Sequence, residues 1–91
     1  MKTVFEISLS QARDAELVIL GNTMLRTELV QTSSNEWEYA PDLDMEFEED
    51  REQYEDFVEE VKLVLDLAHI DYETSDVLEP NGVVICLEEL K

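Results

Sequence analysis

A change of hydrophobic period between residues 36 and 68 constrains the fold of this chain more than any other feature. From Glu36 to Glu48, apolar residues alternate with mainly acidic ones. Because an extended chain sends successive side chains to opposite faces, this pattern predicts a strand with one acidic side. From Tyr54 to Ala68 the apolar residues recur every three or four positions, which is typical of a helix with one buried face.

Acidic residues are concentrated in the same part of the chain. More than half of the 24 Asp and Glu residues lie between Glu36 and Glu60, where Arg51 is the one basic residue. The whole chain has a formal net charge of -18, and an excess of this size opposes the compact state through self-repulsion. It argues against direct binding to nucleic acid or to an anionic membrane through phosphate groups. The expected partner is therefore a basic protein.

The remaining sequence completes an alternation of strands and helices. The predicted strands cover residues 3–9, 23–32, 36–48, 70–77 and 82–87, and the predicted helices cover residues 11–20 and 51–69. Turns are expected at 33–35, which closes a hairpin, and at 79–82. The order β-α-β-β-α-β-β predicts an α+β fold, with a mostly antiparallel four- to five-stranded sheet and two helices, in one form a ferredoxin-like variant. We expect residues 1–91 to form a single acidic domain.

Local signals refine the acidic strand and the helix after it. Pro41 cannot donate a ladder hydrogen bond, so the strand is either broken there or lies at a sheet edge. Asp50 followed by Gln53 resembles a capping box, which predicts that the helix starts just after Asp50. Trp37 and Tyr39 are predicted to lie in the core under this helix. The alternative is an exposed aromatic anchor within an acidic rim, as is common in binding hot spots.

The sequence contains no recognisable catalytic or metal-binding motif. Cys86 is the single cysteine, which excludes an intramolecular disulfide and fits a reducing compartment. The acidic segment 42–46 begins like a calcium loop, but Phe47 occupies the sixth position, where glycine is required. His69, the only histidine, lies near a predicted helix end and is expected to act in capping or at the surface. We therefore expect no enzymatic activity, no metal and no cofactor.

The spacing of the acids matches that of a nucleic-acid backbone. Neighbouring phosphates of B-DNA are roughly 7 Å apart, and alternate residues of a strand are about 6.6 Å apart. Acids on one ridge of a helix follow at axial steps of about 4.5 to 6 Å. Two adjacent rows would resemble the two backbones that flank a groove. The predicted partner-binding residues are Asp42, Asp44, Glu46, Glu48, Glu49, Glu52, Glu55, Asp56, Glu59 and Glu60.

In composition and size, the chain resembles the small acidic nucleic-acid mimics that viruses use against restriction, CRISPR, repair or recombination proteins. This resemblance rests on no sequence motif. It implies an inhibitor, encoded by a phage or mobile element, that blocks the DNA- or RNA-binding surface of a host defence or DNA-processing protein. The alternative is an acidic partner protein that is not a mimic, such as an antitoxin, immunity protein or assembly subunit. General acidity from a high-salt cytoplasm is a third interpretation, and it predicts acids on every surface.

Location and assembly follow from the same features. Charged residues come too early for a secretory signal, and no apolar stretch approaches the roughly 20 residues that span a bilayer. We expect a cytoplasmic protein, in the host cytoplasm if it is viral, with no membrane partner. A monomer and a homodimer both remain open, because an edge strand or an apolar residue such as Leu43 could pair across a two-fold axis.

Overall fold

The computed structural model describes residues 2–78 and 81–88, which form an α+β structure and confirm the predicted class. The strands are β1 (Lys2–Ser8), β2 (Val30–Ser33), β3 (Glu36–Tyr39), β4 (Tyr72–Val77) and β5 (Gly82–Glu88). The helices are α1 (Ala12–Gly21), α2 (Thr23–Glu28) and α3 (Glu48–Leu67), with a short 3-10 turn, Leu9–Gln11, before α1. Residues 79 and 80 of the turn predicted at 79–82 lie outside the described residues.

The strands form one mixed sheet in the order β2-β3-β5-β1-β4. β1 pairs in parallel with β5, and the other three neighbouring pairs are antiparallel. A mostly antiparallel sheet was therefore predicted correctly, apart from this one parallel pair. The last strand, β5, enters the sheet between β1 and β3, which distinguishes this sheet from a four-stranded ferredoxin-like arrangement. The first strand consequently lies between the last two strands of the chain.

Helices α1 and α3 cover one face of the sheet and enclose the core. The sheet contributes alternate residues of its central strands, and each helix contributes one apolar face, because side chains repeat every two residues on a strand and every three or four on a helix. The buried cluster includes Phe5, Ile7, Trp37, Tyr39, Val83, Ile85 and Leu87 from the sheet and Ala15, Ile19, Phe57, Val61 and Leu65 from these helices. For these elements, the periodicities in the sequence identify the inward faces correctly.

The prediction of two helices is wrong because residues 23–28, expected to begin a strand, form α2. The Asn22 side chain caps this helix, since its Oδ1 accepts a hydrogen bond from the Leu25 backbone N–H at 3.0 Å. Thr27 donates its hydroxyl to the Thr23 carbonyl at 2.7 Å, and Leu25 is fully buried. An N-cap and one buried leucine outweigh the strand preference of the branched residues.

The start of the long helix also differs from the prediction. α3 begins at Glu48, with Phe47 at the N-cap position and no capping side chain. The proposed capping box is wrong: Asp50 Oδ2 accepts a hydrogen bond from the Asp44 backbone N–H at 2.9 Å, and Gln53 donates to the Tyr39 hydroxyl at 3.1 Å. Both side chains are used in contacts with earlier segments of the chain.

The end of α3 is closed by a Schellman motif. The His69 N–H donates to the Asp66 carbonyl at 3.1 Å, and the Ile70 N–H donates to the Leu65 carbonyl at 2.9 Å. His69 adopts the left-handed conformation, with φ of 57°, which glycine usually provides at this position. Ile70 and Leu65 are both buried, and this apolar contact commonly accompanies the motif. The predicted capping role of His69 is thus carried by its backbone.

Candidate acidic binding face

The outer side of α3 carries an unbroken line of acids, which we call the acidic ridge. Its members are Glu48, Glu52, Glu55 and Glu59, separated by four, three and four residues. At the helical rise, these intervals give axial steps of about 6, 4.5 and 6 Å. All four side chains are exposed, because the apolar residues of the helix turn to the opposite side and pack on the sheet. The helical row predicted from the sequence is therefore present.

Three further predicted residues flank the ridge on the side of α3 that faces α2. Glu49 and Asp56 are exposed, whereas Glu60 is half-buried. Glu60 Oε1 accepts a hydrogen bond from Asn22 Nδ2 at 2.9 Å. Glu60 therefore contributes to the contact between α3 and the segment that joins α1 to α2, and it is less available to a partner than the other two.

The second predicted row, Asp42, Asp44, Glu46 and Glu48 on a strand over 36–48, is wrong, because β3 ends at Tyr39 and Glu48 begins α3. The chain leaves the sheet after Tyr39, and residues 44–47 form a turn in which the Phe47 N–H donates to the Asp44 carbonyl at 3.0 Å. Asp44 Oδ1 also accepts from the Glu46 N–H at 2.9 Å. Asp42, Asp44 and Glu46 are exposed, but they lie on irregular backbone and do not have the regular spacing of a strand.

The strand ends early for two reasons, a proline in the chain itself and a contact from a distant segment. Pro41 lacks a donor for a continuing ladder, so the break predicted as one alternative is confirmed. Asn81 Nδ2 donates to the Leu43 carbonyl at 2.9 Å, which fixes the segment after the proline. This contact joins residues far apart in the sequence, so alternation alone could not reveal it.

The acidic ridge has little internal charge compensation. Within the described residues, the ion pairs join Lys62 to Glu59 at 3.8 Å and Lys2 to Glu38 at 3.9 Å. In the part of the chain that the structure describes, only one member of the ridge therefore has an ion-pair partner. That pair lies on an exposed helix surface, where such a pair contributes little. The ridge therefore presents a net negative charge to solvent.

Aromatic residues near this face divide into a buried pair and an exposed residue. Trp37 and Tyr39 are each 4% exposed, so their predicted core position is confirmed, and the Tyr39 ring stacks on Phe57 at a centroid distance of 3.9 Å. Phe47, just before α3, is instead 64% exposed. The alternation pattern placed Phe47 in the buried row, and its position beside the predicted helix start was the only signal of a different environment.

A groove between α2 and α3 adjoins the ridge, and we call it the α2–α3 groove. It encloses about 400 Å³. Its floor contains Tyr39 and Phe57, one apolar wall is Met24, and its acidic sides come from both helices. The acidic residues that line it are Glu28, Glu49, Glu52 and Asp56. Met24 and Glu28 were missed by sequence reasoning, since both were assigned to a strand.

The face of the sheet opposite the helices, which we call the open face, also carries acids. Glu36, Cys86 and Glu6 lie side by side on β3, β5 and β1. Among the acids on these three strands, Glu6, Glu36 and Glu38 are half-buried, whereas Glu88 at the end of β5 is exposed. Burial raises the pKa of the Cys86 thiol, and the nearby carboxylates of Glu88, Glu36 and Glu6 raise it further.

In the part of the chain that the structure describes, no group of three or more His, Cys, Asp or Glu side chains is arranged to hold a metal ion. None of the described helices is long and apolar enough to cross a bilayer. Comparison with protein-family models, curated proteins and solved structures gave no match. Functional inference therefore rests on the geometry of the acidic face.

Proposed function

We propose that this protein is an acidic inhibitor that occupies the nucleic-acid-binding surface of a basic protein through the acidic ridge of α3. The observation that supports this proposal is the ridge itself: four exposed carboxylates at steps close to the phosphate spacing, with one ion pair among them in the described residues. A basic surface gains affinity for DNA or RNA when counterions are released from the phosphates. A regular row of carboxylates on a folded protein provides a comparable anion.

The acidic ridge is one row of carboxylates, and this limits what the protein could mimic. Because residues 40–47 do not extend β3, a second row parallel to α3 is not supported. We therefore propose mimicry of one phosphate backbone, with Glu49 and Asp56 broadening the charged surface beside it. The proposed targets are host defence or DNA-processing proteins, namely restriction nucleases, CRISPR effectors and repair or recombination enzymes, and the proposed source is a phage or mobile element.

Capture from bacterial lysate tests this proposal. The protein is immobilised beside a ridge variant that carries Glu48→Gln, Glu52→Gln, Glu55→Gln and Glu59→Gln. A matched control carries Asp14→Asn, Glu16→Gln, Glu73→Gln and Glu88→Gln, which remove the same charge from exposed acids on other elements. We expect wild type and control to retain the same basic proteins at low salt and the ridge variant to lose them, because exposed charges act through a field that salt screens.

Competition with nucleic acid for the captured proteins then distinguishes a mimic from an acidic partner protein that is not a mimic. Duplex or single-stranded nucleic acid should displace a target that is bound through its own nucleic-acid site. Circular dichroism of the ridge variant should remain native, so that a loss of binding reports charge and not unfolding. Equal capture by the ridge variant and the control, or a captured protein that still binds nucleic acid on the beads, would contradict mimicry.

A second candidate function is that of an acidic partner protein that is not a mimic, such as an antitoxin, immunity protein or assembly subunit. The exposed Phe47 and the apolar floor of the α2–α3 groove favour it, because a phosphate backbone has no counterpart to either feature. An aromatic residue surrounded by polar groups is a common form of interface hot spot. Simultaneous binding of this protein and nucleic acid to the captured partner would support this candidate.

A further inference from the structure

The α2–α3 groove combines two features that fit different parts of one side chain. Met24 forms an apolar wall and is 40% exposed, so it offers accessible hydrophobic surface. The four carboxylates around the groove come from two separate helices, and all of them are exposed. An occupant that satisfied both features would be apolar along part of its length and positively charged at its end.

Among the residues that the structure describes, no ion pair balances the charge around the groove. The ion pairs found between described residues use Glu38 and Glu59, and neither residue lines the groove. Arg26, on α2 between Met24 and Glu28, is exposed and forms no ion pair in residues 2–78 and 81–88. Four like charges around one cavity repel one another, and a cation from outside would relieve this repulsion.

The chemistry of the groove favours a basic side chain over a small ion. A bare metal ion needs closely converging ligands, and no such group of side chains occurs in the described chain. Lysine and arginine instead bury an aliphatic stem along apolar surface while the charged head remains near water and carboxylates. A methionine wall suits such a stem because its thioether is polarizable and adapts to different shapes.

We propose that the α2–α3 groove binds a lysine or arginine side chain of the partner protein, with the stem against Met24 and the cationic head among Glu28, Glu49, Glu52 and Asp56. This inference rests on the proposed function, which supplies a basic partner, and adds one specific contact to a general electrostatic attraction. It also makes an uncharged residue, Met24, a determinant of binding.

The length of the cationic stem provides a direct test. Two short blocked peptides serve as probes: one alternates glycine with lysine, and the other alternates glycine with 2,4-diaminobutyric acid, which has the same charge and a stem two methylene groups shorter. Binding is followed by NMR of the ¹³C-labelled methionine methyl groups, in which Met45 acts as an internal reference. We expect the lysine peptide to shift the Met24 methyl signal and to bind about fivefold more tightly, as partial burial of two methylene groups predicts.

Two variants make this test specific. Met24→Ala should remove the preference for lysine, whereas Leu63→Ala, which truncates another exposed apolar residue, should retain it. Equal affinities of wild type for the two peptides, or an unshifted Met24 signal, would overturn the groove proposal and leave only diffuse attraction. The measurement involves no cellular target, so its result is independent of lysate capture and of the proposed inhibitor function.

Discussion

The acidic ridge of α3 and the open face of the sheet carry the same kind of side chain in different surroundings. Ridge residues are exposed, and only Glu59 has an ion pair in the described structure. On the open face, Glu6, Glu36 and Glu38 are half-buried, and Glu38 pairs with Lys2. Acidic composition therefore does not by itself identify a binding surface. Glu38 contributes an ion pair within the sheet, while the ridge acids are exposed and available to a partner.

The largest expected effect comes from disrupting the sheet beneath the open face. A Cβ atom on Gly82 would lie 2.6 Å from the Tyr39 carbonyl oxygen, and this close contact is with backbone that cannot rotate away. We expect Gly82→Ala to lower the free energy of unfolding by about 2 kcal/mol, the usual cost of overpacking. Urea denaturation measures this change.

Gly21→Ala is the matched control for this substitution. Gly21 ends α1, and a Cβ atom there would meet nothing within 4 Å. It should leave stability unchanged or raise it slightly, because alanine favours the helix. If the two variants unfold at the same urea concentration, close packing of β5 against β3 does not require glycine.

Neutralising an acid should change the free energy of unfolding in opposite directions on the ridge and on the open face. Glu52 has a like charge four residues away on each side, whereas Glu55 has one like charge, Glu59, and one opposite charge, Arg51. Each such pair changes helix stability by about 0.2 to 0.5 kcal/mol. The double variant Glu52→Gln, Glu55→Gln should therefore raise the free energy of unfolding by roughly 0.7 kcal/mol at low ionic strength. The gain should shrink in high salt, which screens the repulsion.

Glu38→Gln provides the comparison on the open face. It removes the ion pair with Lys2 and should lower the free energy of unfolding by roughly 0.5 kcal/mol. Chemical denaturation of both variants at low and high salt gives the two changes. A stabilising effect at both positions would show that general repulsion outweighs local contacts, and the distinction between the two faces would then fail.

A smaller effect is expected where α3 leads into β4. His69 is held at a φ of 57°, a conformation that costs a non-glycine residue free energy. His69→Gly should raise the free energy of unfolding by roughly 0.5 kcal/mol, after the loss of entropy that glycine brings is subtracted. His69→Ala is the control and should give no gain, because alanine has the same steric restriction. Thermal unfolding of the wild type and the two variants measures these differences in stability.

The alkylation rate of Cys86 should depend on acids of the open face and not on acids of the ridge. Because burial and nearby carboxylates raise the pKa of the Cys86 thiol, the reactive thiolate should be scarce near pH 8. Alkylation by iodoacetamide should therefore be slower in the native protein than in urea. Glu36→Gln should accelerate native alkylation by about twofold, since it removes one carboxylate beside the thiol, whereas Glu52→Gln on the ridge should not.

The raised pKa of Cys86 also sets the direction of a pH effect on stability. The native state keeps its thiol proton at a pH at which the unfolded chain releases it. This contribution to stability is therefore complete below the ordinary thiol pKa and is lost as the pH rises above it. Urea denaturation on both sides of this pH measures the change, and Cys86→Ser should reduce it. A midpoint that rises with pH in this range would contradict the assignment.

The sequence predicted α3 well because its helix period continues through five turns and the residues of the acidic ridge lie away from the apolar face. The alternating segment was less informative. Glu36 to Tyr39 forms a strand as predicted, but Pro41 and the contact from Asn81 to the Leu43 carbonyl redirect the chain. An alternating pattern predicts which side chains a strand would bury. It does not predict whether a neighbouring strand is available to pair with it.

The sequence by itself determined which residues of α1, α3, β1 and β3 turn inward and that one side of α3 is acidic, because these properties follow from the local repeat of the backbone. Only the tertiary structure decided that β1 lies between β4 and β5, that α2 brings Glu28 and Met24 beside α3, and that Phe47 remains in solvent. The physical reason is that these arrangements depend on packing between segments far apart in the chain, and no short-range periodicity records such contacts.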